Sequence, residues 1–171
     1  MSETPAPTAP ATALLRAPLH RVSPRARLMW RVTALVEGAV TIGVALLVDL
    51  AVDSFDLPGW AVALAAVAVV AWAVVVPQWR YAVHRWEVTD TAVHTQSGWW
   101  AREQRIAPLS RIQTVDRAEG AVARLFGLAT VTVTTASAAG ALEIDGLDLA
   151  RAQDLVAELT LMADAVEGDA T

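Results

Sequence analysis

Apolar and polar positions follow three different rhythms along this chain. The run "MWRVTALVEGAVTIGVALLVDL" is interrupted between Val32 and Leu50 only by Thr33, Glu37 and Thr41 before it closes on Asp49. At 1.5 Å per residue it spans about 30 Å, the thickness of a bilayer's hydrocarbon core. A second run, "LPGWAVALAAVAVVAWAVVVPQW", carries no charge from Leu57 to Trp79 and places Trp60, Trp72 and Trp79 toward its ends, as interfacial aromatics often lie. These runs predict two transmembrane helices, at about 30–50 and 57–77, forming a hairpin over residues 28–79.

From Tyr81 the rhythm shortens to segments rich in Val, Thr, Trp and Ile broken by turn residues, the pattern of a small antiparallel β domain. Strands are expected at Arg85 to Thr89, Ala92 to Ser97, Trp100 to Ile106, Arg111 to Arg117, Thr130 to Thr135 and Ala141 to Leu147. Turns are expected at Thr89 to Thr91 and at Ser97 and Gly98. In "TVTVTT" Val131 and Val133 alternate with threonines, so one face is expected to be buried and the other wet. In "GAVARLFG" a short helical turn between Gly120 and Gly127 is expected to plug the sheet with Val122, Leu125 and Phe126.

After Gly146 the period becomes helical. Leu149, Ala152, Leu155, Val156 and Leu159 fall on one stripe, with Asp148 as the expected N-cap. The β domain with its closing helix covers 81–162, and 163–171 is a C-terminal tail. Residues 1–27 are expected to be a disordered cytoplasmic tail, Pro/Ala/Thr-rich from Met1 to Pro18. The first long apolar run starts too far from Met1 for a cleavable signal peptide.

Charge orients the hairpin. Arg16, Arg21, Arg25, Arg27 and Arg31 precede the first run and Arg80 and Arg85 follow the second, while the connection holds Asp49, Asp53 and Asp56. The positive-inside rule predicts that both termini lie in the cytoplasm. The composition, 55% hydrophobic, belongs with a bilayer. A formal net charge of −5 argues against a nucleic-acid partner, and the absence of cysteine excludes disulfides, a thiol nucleophile and thiolate zinc sites.

The segment "RWEVTDTAVHTQSGWWAREQRIAPLSRIQTVDRAEGAVARLFGLATVTVTTA" resembles the membrane-anchored bacterial PH domain of the YdbS-like type. "PLSRIQTVD", "RLFGLATVTV" and the paired tryptophans after Gly98 carry the resemblance, which runs from Tyr81 to about Leu161. It implies an α+β membrane protein: a two-helix transmembrane hairpin, then a PH-like bent antiparallel sheet capped by a C-terminal helix. It also implies assembly with a larger membrane protein carrying several such domains. Eukaryotic PH domains often bind phosphoinositides through a basic first hairpin. The matching turn here, "EVTDTAV", carries Glu87 and Asp90 instead, so that activity is not carried over.

Among individual residues, Arg111, Arg117 and Arg124 offer forked donors to a phosphate or carboxylate. Arg111 and Arg117 equally suit a solvated strand face, paired with Asp116 or Glu119. Glu37 is the ionisable residue well inside a span, a contact for a partner helix or a residue close to the interface, with Thr33 and Thr41 placed to share its hydrogen bonds. Trp99 and Trp100, with Trp86, suggest an exposed aromatic platform. The aspartates of the connection have no metal-loop spacing, and His20, His84 and His94 are scattered. No catalytic motif, metal site or cofactor is expected. The expected function is non-enzymatic: a cytoplasmic PH-like domain held at the bilayer for assembly with another membrane protein, a homo-oligomer being compatible. Sensing of anionic lipid through Arg80 and Arg85, or a small transporter subunit built around Glu37, are the alternatives.

Overall fold

The computed structural model describes residues 16–52, 57–98, 101–136 and 140–168. A two-residue strand, β1 (His20–Arg21), precedes helices α1 (Pro24–Ala51) and α2 (Gly59–Val83). Strands β2 (Arg85–Val88), β3 (Ala92–Ser97) and β4 (Glu103–Pro108) follow, and a 3₁₀ turn (Leu109–Arg111) leads into β5 (Ile112–Ala118). After the short helix α3 (Ala121–Leu125) come β6 (Leu128–Thr135), β7 (Leu142–Asp148) and α4 (Leu149–Gly168).

The strands form two antiparallel sheets, β1-β2-β3-β4 and β5-β6-β7. The core lies between them and α4. Val93, Val131, Val133, Ile144 and Leu147 come from strands, and Ala152, Leu155 and Leu159 from the helix stripe; each is at most 2% exposed. Full burial of one such Val, Leu or Ile contributes roughly 1.5–3 kcal/mol. Val131 and Val133 are buried while Thr130, Thr132 and Thr134 are half-buried, as their alternation predicts.

Both apolar helices are long enough to cross a membrane, and their apolar windows are almost wholly exposed. They pack antiparallel, with Gly38 directly against the Val69 side chain. The Asp49 carboxylate receives the Leu57 N–H at 2.7 Å across the connection. Asp53 and Asp56 lie outside the described residues.

Several boundaries differ from the sequence reading. The N-terminal tail does not run to residue 27: His20 and Arg21 pair with Trp86 and Arg85. Val22, Ala26, Met29 and Trp30 are buried in the core of the domain. The first two turns of α1 therefore belong to the β domain, and only the rest of the helix is free to cross a bilayer. A strand of two residues has no periodicity of its own and is visible only through its partner. The third strand begins at Glu103 rather than at Trp100.

Helix α3 does not plug the sheet with its leucine. Leu125 is 83% exposed and Val122 40%, while Ala123 and Phe126 pack against the core. A helix of five residues turns through little more than one turn, so only one side of it faces inward. Asp148 is the last residue of β7, and its carboxylate receives the Ser23 hydroxyl at 2.8 Å and lies 3.7 Å from Arg25. It secures the start of α1 as well as standing before α4.

Candidate functional site: the cleft between hairpin and sheet

Where β7 passes the base of the hairpin, Asp145 gathers three donors. Its Oδ2 accepts from Arg80 of α2 at 2.8 Å and from the Trp30 indole of α1 at 3.3 Å. Its Oδ1 accepts from the Thr130 hydroxyl at 2.9 Å. The Arg80 guanidinium also lies 4.2 Å over the Trp30 ring, a cation–π contact. One carboxylate thus joins both helices to the sheet.

The next residue makes this approach possible. Gly146 has φ +79°, and its carbonyl receives the Ser23 N–H at 2.9 Å. A Cβ at this position would stand 2.7 Å from the Ala26 methyl. Opposite it, the β6–β7 register slips between Ala129 and Val131. Glycine is required here both for the left-handed backbone and for the space.

Above this junction opens a cleft of about 710 Å³. Ala34, Glu37, Trp72 and Val76 line it from the apolar helices, and Glu103, Arg105, Glu143 and Asp145 from the sheet. His84, Thr95 and Ser97 also line it. Arg105 donates to Glu103 at 2.7 Å and to the Ala141 carbonyl at 3.1 Å. His84 is only 6% exposed, and its ring meets Trp30 edge-on at 6.1 Å. Burial, and secondarily the charge of Arg80, lower its pKa below 6.5, with Asp145 partly opposing.

The residues singled out from sequence do not converge. Glu37 does line the cleft. Thr33 and Thr41 do not serve its carboxylate, because their hydroxyls donate to the carbonyls of Met29 and Glu37 one turn back, at 3.0 and 2.8 Å. Arg111 sits in the 3₁₀ turn and not on β5, so it does not share a strand face with Arg117. Arg117 pairs with Glu119 at 3.2 Å. Arg124 lies on α3, beyond the opposite end of β5 from Arg111. The three arginines therefore form no common anion site. Trp99 and Trp100 lie outside the described residues. Trp86 belongs to no exposed platform: it is 3% exposed, between His20 at 5.2 Å and Arg151 at 5.1 Å.

Sequence reasoning missed Asp145, Glu143, His84 and Thr95. "DG" at Asp145 and Gly146 is ordinarily a turn signal, yet here it lies inside β7. Among the described residues no group of three or more His, Cys, Asp or Glu side chains is arranged to hold a metal ion.

A bent antiparallel sheet in two parts, closed by a C-terminal helix and rooted on two apolar helices, defines a membrane-associated protein of the PH-like class. The chain belongs to the bacterial PH domain family, whose model matches residues 26–163. That match takes in both apolar helices as well as the β domain. The chain is also similar to the UPF0699 transmembrane protein YdbS of Bacillus subtilis (strain 168), at 29% identity over 157 residues, covering 86% of this chain and 96% of that one. No solved structure matches it. It is a membrane protein carrying a PH domain, with two helices long and apolar enough to cross the bilayer.

Proposed function

We propose that this protein is a membrane-held assembly subunit. The hairpin keeps both termini in the cytoplasm and holds the PH-like domain at the bilayer surface, where it pairs with a PH-like domain of another membrane protein. The observation that carries this reading is the outer edge of β5. Among the described residues this seven-residue strand pairs with β6 alone, and Gln113, Thr114, Asp116 and Arg117 on it are exposed. An open strand edge is a template for a strand from another chain. Arg111 and Arg117 stand along that margin and Arg124 just beyond it, where forked guanidinium groups select acidic partner side chains. Basic residues before α1 and after α2, against an aspartate-bearing connection, support the orientation.

Because the chain has no cysteine, a single introduced thiol is unique. Gln113→Cys or Thr114→Cys, carrying a photoactivated crosslinker in native membranes, is expected to yield an adduct with a second integral membrane protein that has PH-like strands. Adducts from a control site on α4, Gln153→Cys, with none from β5 would overturn the reading. So would a C-terminal fusion reporter active only outside the cell.

A further inference from the structure

The cleft has a charge balance opposite to its surroundings. Arginines dominate the segments flanking the hairpin, yet the cleft between hairpin and sheet is lined by four carboxylates, Glu37, Glu103, Glu143 and Asp145, against two guanidinium groups, Arg80 and Arg105. Both arginines are already engaged with carboxylates, Arg80 with Asp145 and Arg105 with Glu103. Among the described residues, Glu37 and Glu143 are left without an ion pair.

A second observation concerns buried groups. His84 and Thr95 are 6% and 5% exposed, both line the cleft, and among the described residues neither side chain makes a hydrogen bond. Buried polar side chains normally find a partner, so an imidazole and a hydroxyl that have none in the protein and border an open space can accept from a group that enters it. The volume, about 710 Å³, lies within the roughly 300–1,000 Å³ of small-ligand sites. Ala34, Val76 and Trp72 make the wall on the hairpin side apolar and continuous with the segments that face lipid.

We propose that this cleft binds a primary ammonium group, presented by the headgroup of an amine-bearing phospholipid from the adjoining leaflet. The ammonium donates to the Glu143 carboxylate and to the acceptors of Thr95 and His84, Glu37 adds negative charge from the hairpin side, and the lipid's glycerol and chains follow the apolar wall. Three N–H donors suit this set of acceptors, and a trimethylated ammonium has none to give. Excess carboxylate repels an anionic headgroup. The site is therefore separate from the β5 edge and stands or falls independently of it.

The test uses the full chain purified in detergent and titrated, under native mass spectrometry, with phosphatidylethanolamine, phosphatidylcholine and phosphatidylglycerol of identical acyl chains. Phosphatidylethanolamine is expected to be retained about fivefold or more over either of the others, the scale of one exposed ionic contact. Glu143→Gln, at an exposed position with no hydrogen bond or ion pair among the described residues, is expected to remove most of that preference while circular dichroism is unchanged. Glu37→Gln should lower it further. Free ethanolamine is the second arm: failure to displace the lipid assigns the ammonium to the headgroup, and displacement at matched concentration assigns it to a soluble amine. Equal retention of the three lipids, or a preference untouched by both glutamine variants, would overturn the proposal.

Discussion

Arg80 lies 2.8 Å from the carboxylate of Asp145, and through this pair the last turn of α2 is locked to the final strand of the domain. The same carboxylate holds Trp30 of α1 and Thr130 of β6. The hairpin and the sheet are thus one packed body, with the polar junction in the angle between them.

Asp145→Ala removes an acceptor shared by three donors and leaves the partly exposed Arg80 without its carboxylate. The expected loss is about 2 kcal/mol, below the full cost of breaking a buried pair because both side chains keep some contact with water. A fall in the apparent melting temperature of the protein in detergent would measure it. An unchanged melting temperature would show that the junction adds nothing to stability.

Gly146→Ala meets two penalties, the left-handed backbone at φ +79° and a Cβ only 2.7 Å from the Ala26 methyl. Gly140→Ala meets the first alone, since nothing lies within 4 Å of its Cβ position. Left-handed backbone costs about 1–2 kcal/mol. Gly146→Ala is expected to destabilise by more than that and Gly140→Ala by no more, compared in one denaturant series.

His84 sets a pH dependence. Its folded pKa is lowered, chiefly by burial, below the unfolded value of 6.5. Above 6.5 the imidazole is neutral whether the chain is folded or not, and its full stability is present. As pH falls below 6.5 the unfolded chain takes up the proton first, and stability is lost progressively until the lowered folded pKa is passed. Melting curves between about pH 7.5 and pH 5 should therefore drop more steeply for the wild type than for His84→Gln. Parallel curves would refute the assignment.

Two leucines on helices should respond in opposite ways. Leu125, 83% exposed on α3, is expected to tolerate Leu125→Ser within about 0.5 kcal/mol. Leu155, fully buried on α4, is expected to lose about 2–5 kcal/mol as Leu155→Ala. Comparable losses at both sites would contradict the observed placement of α3.

Periodicity made the two apolar helices and the α4 stripe legible, because each carries its signal within its own residues. The alternation at Val131 and Val133 was legible for the same reason. The cleft was not, because its acidic and polar members are distant in sequence: Glu37 on α1, His84 after α2, Thr95 on β3, and Glu143 and Asp145 on β7. Arg111 and Arg117 were misleading in the converse way. They are close in sequence with strand spacing, but the 3₁₀ turn starts the strand one residue later and removes Arg111 from it.

By itself, then, the amino-acid order determined the succession of two spans, a β domain and a closing helix, and the resemblance that goes with it. These follow from local hydrophobic rhythm and chain length, which need no distant partner. Tertiary structure alone decided that α1 begins inside the domain core, that Gly146 takes a left-handed backbone directly against Ala26, and that four carboxylates line one cleft beside a buried histidine. Each depends on a contact between elements far apart in the chain, and burial and charge balance exist only once those contacts have formed.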